Sequence, residues 1–444
     1  GAALMPSYII RSMRKMFPQC LKLSYKDTAQ QNSYVTIPHA AYSYEQTETA
    51  ANVDEDIIDS LTGGRLVGSV TSFENFAECP LRYYLRYGVD LKEREEFTFS
   101  PVNFGVVLHA VIREVCDEIK KNGESYYLIS EEKRREMVKR SVAAITDIYQ
   151  NSILKDSSRN SFMIKRMEDL ADRTIWAMGE QLKCGDFVPF VFEHKFNMEV
   201  GDGDRKQLMS GTIDRVDICE NGTDVYVRII DYKTGKKDFN IVKTYYGIDI
   251  QLMVYMEAAM KLVAKMRPGK NVIPAGVFYY NISDPIVSAT TESAEEIEDK
   301  IKGELRLKGM VNSDKDIAEK MDNTEGTSLN IPVSRKADGG FDSRRSKVMN
   351  TEQFNMLGRF VDVRAVDTAD RIAGGDIRRS PYKDGQFSSC DRCPYGAVCG
   401  FSVDLPGCNY RKLKKFDDEV LWNNIKEGVD ENGKKMDTGA EERD

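Results

Sequence analysis

The feature that most constrains this chain is an apolar run that stops on charge. Val225 to Tyr232 reads as a β-strand, and the segment ends in Asp231-Tyr232-Lys233-Thr234-Gly235. Side chains alternate along a strand, so Asp231 and Lys233 share one face and Tyr232 takes the other. Upstream, Gln207 to Glu220 reads as a second strand and carries Gly211-Thr212-Ile213-Asp214-Arg215-Val216-Asp217. Asn221-Gly222 between them is the expected hairpin turn, because both residues tolerate positive φ. The hairpin puts Asp214 on the strand next to Asp231.

Two carboxylates side by side at strand ends repel each other unless a cation lies between them. Hard oxygen ligands of this kind suit Mg²⁺ or Mn²⁺. A lysine beside the ion can offset charge that develops on a phosphate. The plainer alternative is a pair of solvated strand-end charges, since an isolated Asp-x-Lys is common. His109 opens a helix in Asn103-Phe104-Gly105-Val106-Val107-Leu108-His109, one turn after Gly105. By itself it reads as a satisfied core histidine, and beside the acids it reads as a ligand. Gln251 and Tyr255 stand four apart on one face of a helix over 248–266, a spacing that packing alone would explain. Glu193 reads as a surface glutamate, with a further acid of the site as the alternative.

Nine cysteines occur: Cys20, Cys79, Cys116, Cys184, Cys219, Cys390, Cys393, Cys399 and Cys408. The number is odd and the N-terminus has no basic-then-apolar leader, so a reducing cytoplasm and a metal site are expected rather than disulfides. Cys390-x-x-Cys393 with Cys399 on the same loop grips one metal centre. Cys408 as fourth ligand would make a local zinc site. Cys79, which sits in a Cys-Pro context before an aromatic and basic run, would instead make an iron–sulfur cluster that joins the two ends of the module. Cys20, Cys116, Cys184 and Cys219 read as buried structural thiols.

At 444 residues the chain is too long for one small core. Residues 1–65, with a helix expected over Ser7 to Met16 and a close at Gly63-Gly64, read as a linker or the remnant of an upstream domain, which the resemblance given below implies is helicase-like. Residues 66–185 read as helical, 186–290 as the catalytic core and 291–380 as helical with a basic loop. Residues 381–415 form the cysteine loop, and 416–444 an acidic, frayed tail. Helices are expected over 103–121, 130–184, 290–322 and 350–373, with strands over Phe190–Val200 and Ala275–Tyr280. No apolar run approaches the roughly 20 residues that span a bilayer. The net charge of -8 argues mildly against nucleic acid, but a local basic groove can sit inside an acidic average. Lys233 to Lys237, Arg335-Lys336, Arg344 to Lys347 and the Tyr83-Tyr84 region are the candidates for guiding a strand.

Taken in order, Cys79-Pro80, Gly105 to His109, Gly211 to Arg215, Asp231 to Gly235, Gln251 to Tyr255 and Cys390 to Cys399 resemble the RecB-like branch of the PD-(D/E)XK nucleases. The resemblance covers about residues 69–412, and Ile213 stands where the fold's name has proline. It implies an α/β fold of restriction-endonuclease type, a mixed central sheet with the site at its edge, flanked by helices. It implies His109, Asp214 and Asp231 as ligands of Mg²⁺ or Mn²⁺, Lys233 as the catalytic lysine, and Gln251 and Tyr255 near DNA. It also implies a [4Fe–4S] cluster on Cys79, Cys390, Cys393 and Cys399, which leaves Cys408 aside. The implied activity is exonucleolytic cleavage of single-stranded DNA ends beside an AddA-like helicase–nuclease partner, in the repair and recombination of double-strand breaks. The competing expectation is a catalytically silent DNA-binding or assembly module. The sequence holds no Gly-x-x-x-x-Gly-Lys-Ser/Thr loop, so no ATPase is expected from it.

Overall fold

The computed structural model describes residues 52–54, 67–92, 101–148, 158–200, 207–288, 292–405 and 408–441. The expected helix Ser7–Met16, Cys20 and Gly63-Gly64 lie outside the described residues. Ala51–Asp444 forms one compact unit.

The chain enters through a short strand β1 (Val67–Ser69) and helices α1 (Val70–Glu78) and α2 (Pro80–Tyr83), followed by a π-turn over Tyr84–Gly88. Three long helices follow: α3 (Pro101–Lys121), α4 (Glu131–Ile148) and α5 (Ser158–Lys183). Three long strands come next as β2 (Val188–Val200), β3 (Gln207–Asn221) and β4 (Asp224–Lys233). A short α6 (Ile241–Tyr245) and α7 (Gln251–Met266) lead back to β5 (Asn271–Asn281), which lies parallel to β4. The expected helices and strands in these stretches are present, with α4 and α5 both falling within 130–184.

β3 takes β2 along one edge and shares its other edge between β1 near its start and β4 near its end. The seven-stranded sheet runs β1-β3-β4-β5-β6-β7, with β2 beside β3. The site strands β3 and β4 are therefore central, and the expectation that the site sits on the sheet's edge is corrected: it sits at strand ends in the middle. The turn is also shifted by one residue. Asn221 pairs with Asp224 as the last rung, leaving Gly222 and Thr223 as the loop. Gly222 takes φ 61°, as a two-residue hairpin with glycine first requires.

Residues 290–322 are not a continuous helix. They form α8 (Ala294–Glu304), strand β6 (Lys308–Asn312) and α9 (Lys315–Met321). β6 runs antiparallel to β5, and a Cβ at Gly309 would strike the Val277 carbonyl. That glycine permits the close approach and hides the strand signal. β7 (Val348–Met349) and α10 (Thr351–Ala373) follow, α10 opening with a capping box of Asn350 and Gln353. A small sheet of β8 (Tyr382–Asp384), β9 (Phe387–Ser388) and β10 (Arg411–Lys412) frames the cysteine loop with its short α11 (Gly396–Cys399). The expected frayed tail is a helix, α12 (Asp418–Glu441), whose Leu421 and Ile425 are buried. It packs on α10 so closely that a Cβ at Gly428 would meet Phe360 at 2.8 Å.

Two apolar layers cover the sheet. One joins α3, α4 and α5 to Tyr226, Ile230 and Tyr232; the other joins α7, α10 and α12 to Val227, Ile229 and Val277. Between β3 and β4 lies a buried charge triad. Arg215 donates to Asp217 at 2.7 and 2.6 Å, and Arg228 donates to the same carboxylate at 2.8 Å. All three side chains are at most 1% exposed. Where α10 meets α7, Asp362 hydrogen-bonds Glu257, and burial followed by this second carboxyl pushes Asp362 up to about 8.

The folded Asp362 keeps its proton to about pH 8 whereas the unfolded residue releases it near 3.8, so the protein loses stability as pH rises between these values. Asp362→Asn is expected to melt increasingly above the parent between about pH 5 and about pH 8.5, by a few degrees at the upper end. Thermal unfolding followed by circular dichroism checks this. An unchanged gap across the range contradicts it.

Candidate active site

The site follows from strand register. Phe192 pairs with Arg215 and His194 with Ile213, so Glu193 stands opposite Asp214. Arg215 pairs with Ile230, so the next position of β3, Asp214, falls opposite Asp231. Three carboxylates thus form one row across β2, β3 and β4. The row is where the ladders break. Glu193 takes φ 46°, a left-handed conformation that a non-glycine residue adopts only when its surroundings impose it. The Tyr232 amide donates to Asp214 Oδ2 at 2.6 Å, so a side chain replaces the next backbone rung.

The two faces of the sheet complete the site. From α3, His109 Nδ1 reaches Asp214 Oδ1 at 3.4 Å and Glu193 Oε1 at 3.5 Å. Its ring stands edge-on to Tyr232, with centroids 5.9 Å apart. Gly105, one turn earlier, faces Thr234 at ordinary contact distance, so the helix lies over the end of β4. From the other face, Lys233 forms an ion pair with Asp231 and donates to Gln251 Oε1 at 3.0 Å. Gln251 Nε2 donates in turn to Tyr255 OH at 2.9 Å. Tyr255 packs edge-on against Phe196, and a Cβ at Gly211 would collide with both rings.

Burial disfavours a charged imidazole, but the hydrogen bonds and charges of Asp214 and Glu193 outweigh it and push His109 up to about 10. Burial, then the neighbouring Asp214, drives Asp231 up to about 7 against the pull of Lys233 and Lys237. Asp231 Oδ2 is buried and takes no hydrogen bond, although the Lys233 ammonium lies beside it. Among the described residues, His109, Glu193 and Asp214 form the one group whose ligand atoms all lie within 4.8 Å of one another. An imidazole, two converging carboxylates and a third acid on the next strand fit a hard divalent cation.

Glu193 is the residue that sequence reasoning placed on the surface. It is part of the acid row, and its register with Asp214 across β2 and β3 was the available signal. Glu74 was not singled out at all. It accepts hydrogen bonds from the Ile250 and Gln251 amides, each at 3.0 Å. Several basic candidates are committed elsewhere. Lys237 pairs with Asp249 at 3.0 Å and Lys347 with Asp238 at 2.5 Å. Arg335 donates to the Thr324 and Ala318 carbonyls, each at 2.8 Å. Tyr83 packs against Phe76 and Tyr87 with centroids 5.6 and 5.2 Å away.

The cysteines gather at the far end of α1. Burial pushes the Cys390 thiol up, and the neighbouring thiols of Cys79, Cys393 and Cys399 act in the same direction. Burial also raises Cys399, with Cys79 and Cys393 again among its neighbours. The segments are tied together by hydrogen bonds: Leu81 N donates to Arg378 O at 3.2 Å, and the Tyr395 side chain donates its OH to Leu91 O at 2.9 Å.

Acids on adjoining central strands, a lysine two residues beyond one of them and a helix-borne histidine define the class of two-carboxylate, one-lysine phosphodiesterase folds. The family model described as the PD-(D/E)XK nuclease superfamily matches residues 68–400, and the chain belongs to that superfamily. It is 34% identical over 411 residues to the B subunit of the ATP-dependent helicase/deoxyribonuclease of Lachnoclostridium phytofermentans, covering 90% of this chain and 35% of that protein. The protein of the same name from Clostridium acetobutylicum is 34% identical over 88% of this chain and 34% of its own length. That from Thermoanaerobacter pseudethanolicus is 33% identical over 83% and 33%. The chain spans about a third of the length of the curated relatives it matches.

Glu193→Gln removes one of the converging acids while keeping its shape. Mn²⁺ affinity measured by titration calorimetry is expected to fall by about 10- to 100-fold with little change in melting temperature. Equal affinity would exclude Glu193 from the cation site.

Proposed function

We propose that this chain is the nuclease module of an AddB-like protein, a Mg²⁺-dependent deoxyribonuclease that trims single-stranded ends passed to it by a helicase–nuclease complex. The reading rests on the row of Glu193, Asp214 and Asp231 set against Lys233 and His109, together with membership of the nuclease superfamily. The names of the relatives, which combine helicase and deoxyribonuclease and call the protein a subunit, support a DNA substrate and a partner subunit; an AddA-like partner and a role in double-strand break repair belong to the same proposal.

His109, Glu193, Asp214 and Asp231 are the residues that would hold the divalent ion. Such an ion lowers the pKa of water and neutralises charge on the scissile phosphate. Lys233 carries its ammonium to the same point, where it can hold the attacking water or offset the negative charge that builds on the phosphoryl oxygens. Its bond to Gln251 fixes the amine on a four-carbon stem that would otherwise sample many rotamers. Hydrolysis forms one P–O bond to water and breaks one P–O bond to the leaving sugar oxygen, which takes up a proton. The test is digestion of labelled single-stranded DNA with Mg²⁺. Asp231→Ala and Lys233→Ala are each expected to lose at least about 100-fold in rate, a few kcal/mol of transition-state stabilisation. Cutting at the parent rate by both variants removes the site assignment, and DNA binding without cleavage by the parent favours a silent module.

The same reading gives Cys79, Cys390, Cys393 and Cys399 to a [4Fe–4S] cluster, a structural clasp and not part of the cleavage site. What supports it is the neighbourhood of these four thiols. Protein purified anaerobically is expected to be brown. Cys79→Ala should abolish the colour and Cys408→Ala should keep it. A colourless protein that loses bound zinc on Cys408→Ala would reverse the assignment.

A further inference from the structure

Helix α7 presents Gln251 to the catalytic lysine, yet it supplies no cap of its own. Its N-cap residue is Ile250, which has no side-chain acceptor. The first amides of a helix lack partners within the helix and must find them elsewhere. Here a single atom from another helix serves two of them. Glu74 Oε1 accepts from Ile250 N and from Gln251 N, each at 3.0 Å. Two amides converging on one oxygen fix where α7 begins and how it is rotated about its axis. That rotation sets the Gln251 side chain, which holds Lys233 Nζ at 3.0 Å and Tyr255 OH at 2.9 Å.

Glu74 is itself held. Within α1, Asn75 Nδ2 donates to Thr71 O at 2.7 Å, and the Cys79 amide closes the helix on Asn75 O at 3.1 Å. Beyond α1, Leu81 N reaches Arg378 O at 3.2 Å, and Ser389 Oγ reaches Glu78 O at 3.4 Å. The carboxylate therefore projects from an element anchored to the C-terminal part of the fold.

We infer that Glu74, through its hold on the first amides of α7, is a positioning residue for phosphodiester cleavage, setting Gln251 and with it the Lys233 ammonium. This rests on the proposed nuclease reading. Glu74 makes its hydrogen bonds to the first amides of α7, and Gln251 carries its position on to Lys233.

The full chain carries the test in three forms, parent, Glu74→Ala and Glu74→Gln, assayed on single-stranded DNA with Mg²⁺ and by amide hydrogen exchange. Glutamine keeps an Oε1 that can accept both amides, and alanine removes it. Glu74→Ala is expected to lower kcat by about 10- to 100-fold, the scale of a small misplacement of a catalytic group, with KM within about threefold. Glu74→Gln is expected to stay within about threefold of the parent. In Glu74→Ala, exchange should quicken at the start of α7 and stay at parent rates in α3 and α5. The inference is overturned if Glu74→Ala keeps kcat, if alanine and glutamine fall together, or if exchange quickens throughout the molecule. Should the parent itself leave DNA uncut, the nuclease reading fails, and exchange at Ile250 and Gln251 still decides whether Glu74 caps α7.

Discussion

The arrangement of this protein depends on a triad of charges that water never reaches. Asp217 lies directly across from Arg228 in the β3–β4 ladder, and Arg215 grips the same carboxylate from within β3. A slip of one residue between the strands would turn these groups to the wrong face and leave charges buried without partners. Breaking such a pair costs about 3–5 kcal/mol, a large part of a domain's stability. The apolar residues on β3 and β4 favour the same register, since Val216 and Ile229 sit in one core and Ile230 in the other. With that register set, Asp214 has no choice but to face Asp231.

The acid row follows from the register, and its electrostatic consequence follows from burial. Asp231 is 2% and Asp214 7% exposed, so neither can rely on bulk water to screen the other. The protein compensates from both sides of the sheet. His109 arrives on α3 above one face, and Lys233 swings to the other, where Gln251 receives it. Neither cation lies between all three carboxylates. Setting three acids side by side is costly, and a hard cation among them would offset that cost.

Much of this was legible because strand periodicity is short and strict. Asp231 and Lys233 could be placed on one face from spacing two, and the glycine-bearing hairpin put Asp214 beside them. What escaped detection lacked a local signature. Glu193 joins the acids through a backbone conformation, φ 46°, that nothing in Phe192-Glu193-His194 announces. β6 was read as helix because Gly309, which lets it press against β5, weakens a strand pattern. The tail looked frayed because its charges outnumber its apolar residues, yet Leu421 and Ile425, one turn apart, suffice to seat α12 on α10. Glu74 could not have been found by motif, since its partners are backbone amides that any residue would present.

Sequence order explains why the ends of the chain must be fastened. The strands that build the site run from Val188 to Asn281, but the helix that caps α7 precedes them and the segment that anchors that helix follows them. Ser389 and Glu78 touch across 311 positions of sequence. Contacts of such separation carry a high loop-closure entropy and gain little from their neighbours until the whole fold is formed. The cluster proposed at Cys79, Cys390, Cys393 and Cys399 would act at that junction, at the C-terminal end of α1. α1 also packs against β1, β3, α2, α7 and α10, with Val70, Phe73 and Phe76 buried. Its nine residues carry Glu74 to the first turn of α7. On that reading the cysteines would bear on the site without touching it, because α1 runs from them to the residue that caps the helix carrying Gln251.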